Sequence, residues 1–160
     1  MKNLLLFLVF ACTFSFSCLG SPVPFSPIVR NYSVLDYNAG NENWAVAQDE
    51  RGVMYFGNNS GLLRYDGSRW KLFPLPTSGI VRAVYVASDR RIYVGSFEEF
   101  GYFEQNDLNL LEYHSLKEQV KGFDFHNDEI WTIVEQGGNI IFQSFGSYFI
   151  YDGKGTKGVR

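Results

Sequence analysis

The sequence predicts an all-β protein made of repeated four-stranded antiparallel sheets, and three observations carry the prediction. Aromatic residues make up 18% of the chain, with 15 Phe and 10 Tyr among them, and 16 Gly interrupt short apolar runs. That composition favours pleated sheet over helix. The runs end in turn residues, as in Asp49-Glu50-Arg51-Gly52, Ser88-Asp89-Arg90 and Gln136-Gly137-Gly138-Asn139. The whole pattern then recurs at a regular spacing.

Against the segment Trp44 to Gly67, the runs Arg82-Ala83-Val84-Tyr85-Val86 and Ile92-Tyr93-Val94-Gly95 stand 38 residues further on, and Phe103 takes the place of Tyr65. Trp131-Thr132-Ile133-Val134-Glu135 stands 87 residues on, Ile140-Ile141-Phe142 aligns with Val53-Met54-Tyr55 at that spacing, and Ile150-Tyr151-Asp152-Gly153 matches Arg64 to Gly67 one residue shorter. A unit of about 40 residues with four strands is the signature of a β-propeller blade. The copies span about 41–76, 77–115 and 120–160. Closed propellers have about four blades or more, so three blades predict an incomplete ring. The chain therefore reads as the N-terminal piece of a longer protein, with a ring assembled from more than one chain as the alternative.

Taken in order, residues 1–20 read as a secretory signal peptide. Lys2 leads the apolar run Leu4 to Ala11, and small residues follow around Ser15, Ser17 and Gly20. Both cysteines, Cys12 and Cys18, lie in this segment, so no disulfide or Cys–metal site is expected in the mature chain. Lipidation at Cys18 is the other reading, although Ser15-Phe16-Ser17 is a poor lead for it. Residues 21–40 carry prolines and read as extended, with Asn31-Tyr32-Ser33-Val34-Leu35 available as a ring-closing strand.

In the first blade, the Gly57-Asn58-Asn59-Ser60-Gly61 knot links the second and third strands. A phosphate loop would require a Lys and a helix start after the glycines, and Leu62-Leu63-Arg64-Tyr65 follows instead. Asp66-Gly67 then marks a hairpin. The corresponding link in the second blade is Ser96-Phe97-Glu98-Glu99. In the third blade, the last strand is expected to be short or irregular within Lys154 to Arg160.

The formal charge is −3, and loss of Lys2 leaves 13 basic against 17 acidic residues, a net of −4. No basic block exceeds Arg90-Arg91, which excludes nucleic-acid binding by this segment. Catalytic constellations are missing as well. His114 and His126 are the only histidines, and His126 lies in Phe123-Asp124-Phe125-His126-Asn127-Asp128, which reads as an Asx-rich turn more plainly than as a metal or proton-transfer cluster. Glu98 and Glu99 are strand neighbours that point to opposite faces, so they read as an exposed loop and not as paired catalytic carboxylates. No enzyme, cofactor or metal is expected.

Propeller ligands meet the ring where loops lead into the innermost strands, here at Asn43-Trp44, Val81-Arg82 and Ile130-Trp131. Candidate ligand-binding residues are Asn43, Trp44, Arg82 and Trp131. Indole faces stack on the C–H surfaces of a saccharide while Arg and Asn donate hydrogen bonds, so a small molecule such as an oligosaccharide is the expected partner. The competing reading makes Trp44 and Trp131 core anchors between blades. A propeller lyase or hydrolase would repeat His, Asp or Glu at these positions, where the chain has Asn43, Val81 and Ile130 or Glu129. A protein-interaction platform is the third function considered.

The stretch Asp49 to Trp70 resembles the propeller repeat of Bacteroidetes two-component regulator sensors. Asp49, Gly52, Gly57, Gly61, Leu62, Tyr65 and Asp66 match that repeat, while Tyr55 stands where Trp is commonest and Asn58 where Thr is commonest. The runs Asp36 to Trp44 and Tyr93 to Tyr102 resemble a narrower branch, and the likeness covers about Pro27 to Gly153. It implies a periplasmic sensor propeller that reads a ligand, often a glycan fragment, and controls transcription. A three-tyrosine sandwich domain, one membrane helix and a helix-turn-helix or histidine-kinase output would follow further along the longer chain. Membrane contact would then come only through that helix or a lipidated Cys18, and the longer protein leaves room for a homodimer.

Overall fold

A computed structural model describes residues 26–77, 79–125 and 127–160. The signal-peptide reading, Cys12, Cys18 and His126 lie outside the described residues. The chain divides into Met1–Asn31 and Tyr32–Arg160. Residues 26–31 of the first unit are exposed and carry no regular structure.

Residues 31–35, available as a closing strand for a complete ring, pair with no strand among the described residues. Val34–Tyr37 is instead a single helical turn, α1. The Asp36 carboxylate accepts the Ser33 backbone N–H at 2.6 Å and the Ser33 hydroxyl at 2.7 Å. This reach-back from the first turn is how a capping box fixes a helix start. Asn38 closes the turn in the left-handed region at φ 48°. Tyr32 and Tyr37 thereby meet Trp70, at ring separations of 5.1 and 5.5 Å.

Three four-stranded antiparallel sheets follow. Sheet one holds β1 (Asn43–Gln48), β2 (Met54–Asn58), β3 (Gly61–Tyr65) and β4 (Trp70–Phe73). Sheet two holds β5 (Ala83–Val86), β6 (Ile92–Ser96), β7 (Glu99–Gln105) and β8 (Leu111–Ser115). Sheet three holds β9 (Thr132–Gln136), β10 (Asn139–Gln143), β11 (Tyr148–Tyr151) and β12 (Thr156–Val159). Each sheet is an up-and-down meander, and β1, β5 and β9 lie side by side as the inner strands. The all-β propeller-blade architecture expected from the repeat is thus present. The last strand is more regular than expected, since β12 pairs with β11 without a break from Tyr148↔Val159 to Tyr151↔Thr156.

The third copy also corrects the register of the alignment. At the turn end of the inner strands, Gln48 faces Met54, Val86 faces Ile92 and Glu135 faces Ile140. Ile140 therefore replaces Met54 rather than Val53, and the missing residue falls in the tight Gly137-Gly138 turn. One residue of slip exchanges the two faces of a strand. Phe142 consequently takes the position of Phe56 and Val94 and faces sheet two, fully buried with its ring 4.8 Å from that of Phe100.

Two apolar clusters join the sheets. Tyr55, Leu62 and Val81 pack with Ile92, Val94 and Phe103 between sheets one and two, while Tyr93, Phe100, Ile130, Ile140, Phe142 and Phe149 fill the space between sheets two and three. Each such side chain contributes about 1.5–3 kcal/mol by leaving water. Glycine sets the closest approach at both seams. A Cβ on Gly57 would stand 2.6 Å from the Val81 carbonyl oxygen, and one on Gly95 would stand 2.6 Å from the Ile130 Cβ. Val81 N–H donates to the Asn58 carbonyl at 3.1 Å, and Ile130 N–H donates to that of Ser96 at 3.0 Å. These seats bring the residues that follow, Arg82 and Trp131, to the leading ends of the inner strands.

A candidate ligand site at the leading ends of the inner strands

Trp44, Arg82 and Trp131 hold the same position in the three copies, so the adjacency of the inner strands gathers them at one place. The Arg82 guanidinium lies 3.7 Å from the Trp44 ring centroid and 5.2 Å from that of Trp131. The two indoles are 6.4 Å apart and nearly perpendicular. Trp44 is 45% exposed and Trp131 37% exposed.

Glu129 completes the group. Its Oε1 accepts from Arg82 Nε at 2.6 Å, with both side chains mostly buried. Arg82 Nη1 is buried with no hydrogen-bond partner among the described residues. Cation–π stacking on two rings and a charge-assisted hydrogen bond hold the guanidinium, while one donor edge remains unsatisfied.

Asn43 has a different role. Its Oδ1 accepts from the Nδ2 of fully buried Asn58 at 2.8 Å, and Asn58 also bonds the Gly40 N–H and the Gly40 and Glu42 carbonyls. The Gly57 to Gly61 knot is therefore a turn with a tether: Asn59 Oδ1 accepts the Trp44 indole N–H at 2.7 Å, and Asn59 Nδ2 donates to Glu42 at 3.0 Å.

Two aromatic residues that sequence reasoning did not select flank this end. Phe97 is half exposed and lies in the β6–β7 link, where it forms an isolated bridge with Glu129. Phe145, 90% exposed, lies in the β10–β11 link with its ring 5.6 Å from that of Trp131. The available signal was a large apolar residue at a link position, where no sheet face requires one.

Elsewhere the polar candidates are structural. Glu99 is buried, contrary to the exposed-loop reading, and Oε1 accepts the Tyr113 and Ser115 hydroxyls, each at 2.8 Å, and its neighbour Phe100 N–H at 3.0 Å. Burial, and then the Glu99 charge, push the Tyr113 hydroxyl well above the usual tyrosine range. His114 stacks on Tyr102 and lies 3.2 Å from Glu104. Among the described residues, no group of three or more His, Cys, Asp or Glu is placed to hold a metal ion. No described helix is long and apolar enough to cross a membrane.

A cleft of about 640 Å³ opens at the opposite ends of the inner strands, lined by residues that include Asp49, Arg51, Arg91 and Glu104. Its charges largely meet one another, with Arg51 3.0 Å from Asp49, Arg91 2.9 Å from Glu104 and Arg90 3.5 Å from Glu50. None of the buried side-chain atoms that lack a hydrogen-bond partner among the described residues belongs to its lining.

No protein-family model matches the chain, and no curated protein matches it either. Solved structures do. The extracellular domain of BT4673 from B. thetaiotaomicron, assigned as a one component system, is similar over 71% of this chain and 15% of its own, with 17% identity and a TM-score of 0.57. A second structure of that domain, assigned to a hybrid two component system, is similar over 72% of this chain and 16% of its own, with 16% identity and a TM-score of 0.56. Selenomethionine-substituted virginiamycin B lyase from Staphylococcus aureus is similar over 74% of this chain and 41% of its own, with 12% identity and a TM-score of 0.57. The chain thus spans less than half the length of each of these structures. At such identities the likeness is one of fold.

Proposed function

We propose that the chain is the propeller segment of an exported, non-catalytic sensory protein, and that the end bearing Trp44, Arg82 and Trp131 binds a small neutral saccharide. The observation that carries this reading is the guanidinium held between two half-exposed indoles. Exposed aromatic faces next to fixed polar groups suit a ring that is apolar on its C–H face and hydroxylated at its edge. Arg82 and Glu129 neutralise each other, so the ligand needs no charge. Neither is free to act as a base or nucleophile, which favours binding over catalysis. Two of the similar structures being extracellular domains of signalling systems supports a sensor outside the cytoplasm, whose transcriptional output lies in further domains of a longer protein.

Titration of the chain with neutral oligosaccharides, followed by tryptophan fluorescence and calorimetry, tests the reading. Saturable binding is expected, weakened roughly tenfold in Trp131→Ala, in keeping with the loss of one aromatic contact of about 1.4 kcal/mol. Binding unchanged in both Trp44→Ala and Trp131→Ala would remove the site from this end.

A further inference from the structure

The second copy differs from the other two at the tip of its outer hairpin. In sheet one the β3–β4 link is Asp66-Gly67-Ser68-Arg69, and in sheet three the β11–β12 link is Asp152-Gly153-Lys154-Gly155. An Asp carboxylate folds each of them, Asp66 Oδ1 accepting the Ser68 and Arg69 N–H groups and Asp152 Oδ1 those of Lys154 and Gly155. The β7–β8 link is one residue longer, Asn106 to Leu110, and Asn106 Oδ1 accepts the N–H groups of Leu108 and Leu110, each at 3.0 Å. Asn109 turns the chain at φ 58°. Leu108 is thereby held 75% exposed and Leu110 51% exposed, where the other copies carry polar residues and glycine. An Asx turn needs no leucine, so the turn does not account for them. Apolar side chains displayed together on a surface mark a place of contact. Sheet two has sheet one packed on one face and sheet three on the other, so a further blade, which would pack on sheet one or sheet three, would not cover this link.

The link rises from the wall of the turn-end cleft, since Gln105 and Leu111 on either side of it both line that cleft. The lining holds five carboxylates against three guanidinia, and Asp107 adds an acid in the link itself. Between the walls, Arg90 of sheet two meets Glu50 of sheet one at 3.5 Å with both side chains largely exposed. An ion pair so open to water is readily exchanged for another. Leucines beside a cleft with surplus negative charge fit a polypeptide segment that carries apolar and basic side chains together. A second copy of this chain does not supply one, because its net charge is −3 and its longest basic block is Arg90-Arg91, already in the cleft. We propose that the turn end of sheets one and two is a docking surface for an extended basic and apolar segment of a separate protein, with Leu108 and Leu110 as the apolar contact and Glu50 as an ionic one. This surface is separate from the saccharide site, which lies at the opposite ends of the inner strands.

Panning of phage-displayed random linear peptides on the chain, followed by titration of the selected peptides in solution by fluorescence anisotropy, tests the surface. Selected sequences are expected to place Lys or Arg next to Leu, Ile or Phe, and their binding to weaken roughly tenfold between about 50 mM and about 500 mM salt. Leu108→Ser combined with Leu110→Ser should weaken binding roughly tenfold or more, and Glu50→Lys roughly fivefold. These side chains are exposed, so melting curves of both variants should match that of the unsubstituted chain and separate a lost contact from a lost fold. Selection without enrichment of basic residues, or selected peptides bound equally well by both variants, would overturn the surface. Self-association in sedimentation velocity that disappears with Leu108→Ser and Leu110→Ser would assign the leucines to a second copy and overturn the separate partner.

Discussion

The inner strands present two ends to solvent, and the ends are built on opposite principles. At the turn end the charged groups mostly meet one another, Arg51 with Asp49 and Arg91 with Glu104 inside one sheet and Arg90 with Glu50 across two, while Glu135 accepts from Ser88 of the neighbouring sheet. At the leading end, one residue from each sheet is drawn together: Trp44 from the first, Arg82 from the second and Trp131 from the third. Contact across sheets leaves the indoles partly exposed and Arg82 Nη1 buried with no hydrogen-bond partner among the described residues.

Breaking the seat beneath the leading end should have the largest effect. Gly95→Val places a side chain where Ile130 already packs. Overpacking of that kind costs roughly 1–3 kcal/mol or more. Thermal denaturation should show a Tm lower by several degrees, and an unchanged Tm would mean that the seam between sheets two and three tolerates separation.

A smaller effect is expected from Glu129→Ala, which leaves the mostly buried Arg82 guanidinium without its carboxylate. Loss of a charge-assisted hydrogen bond of this kind costs about 1.5–3 kcal/mol, at the lower end here because both side chains keep some solvent contact. Denaturant unfolding measures it. The matching substitution at the turn end, Arg51→Ala, removes an ion pair whose Arg51 side chain is largely exposed, worth under about 1 kcal/mol. Equal losses from the two variants would erase the contrast between the ends.

The smallest effect concerns pH at the turn end. The Ser88 hydroxyl, followed by the Ser88 backbone N–H, holds the Glu135 carboxyl below the usual glutamate range. A carboxylate lowered on folding stabilises the fold above its unfolded pKa, and that contribution is lost as pH falls through the folded value. Melting curves recorded from about pH 5 to about pH 3 should show a shallower acid loss in Ser88→Ala than in the unsubstituted chain. Coincident curves would show that the Ser88 hydroxyl does not lower the Glu135 carboxyl in the folded chain.

Much of this architecture was legible before any coordinates. Strand period, turn chemistry and the 38-residue recurrence identified the sheets, and equivalence of position nominated Trp44, Arg82 and Trp131 together. The errors were errors of register and of partner. The third copy lost its residue in a tight turn, where Gly137 and Gly138 give no apolar marker of phase. Val34 and Leu35, offered to a closing strand with Asn31 to Ser33, instead open a helical turn as Asp36 reaches back to Ser33. Glu99, adjacent to an exposed link, is buried because Tyr113 and Ser115 come from the next strand to meet it.

What the sequence determined by itself is therefore what depends on near neighbours: alternation along a strand, glycine and Asx residues at turns, and the repetition of the unit. What only the tertiary structure decided depends on residues distant in the chain. Arg82 and Glu129, 47 positions apart, carry no local sign that their side chains bond, and nothing around Asp128 indicates that it will fasten the loop of Phe145. Those contacts come from the stacking of one sheet on the next, where close approach at a glycine seat sets which side chains meet.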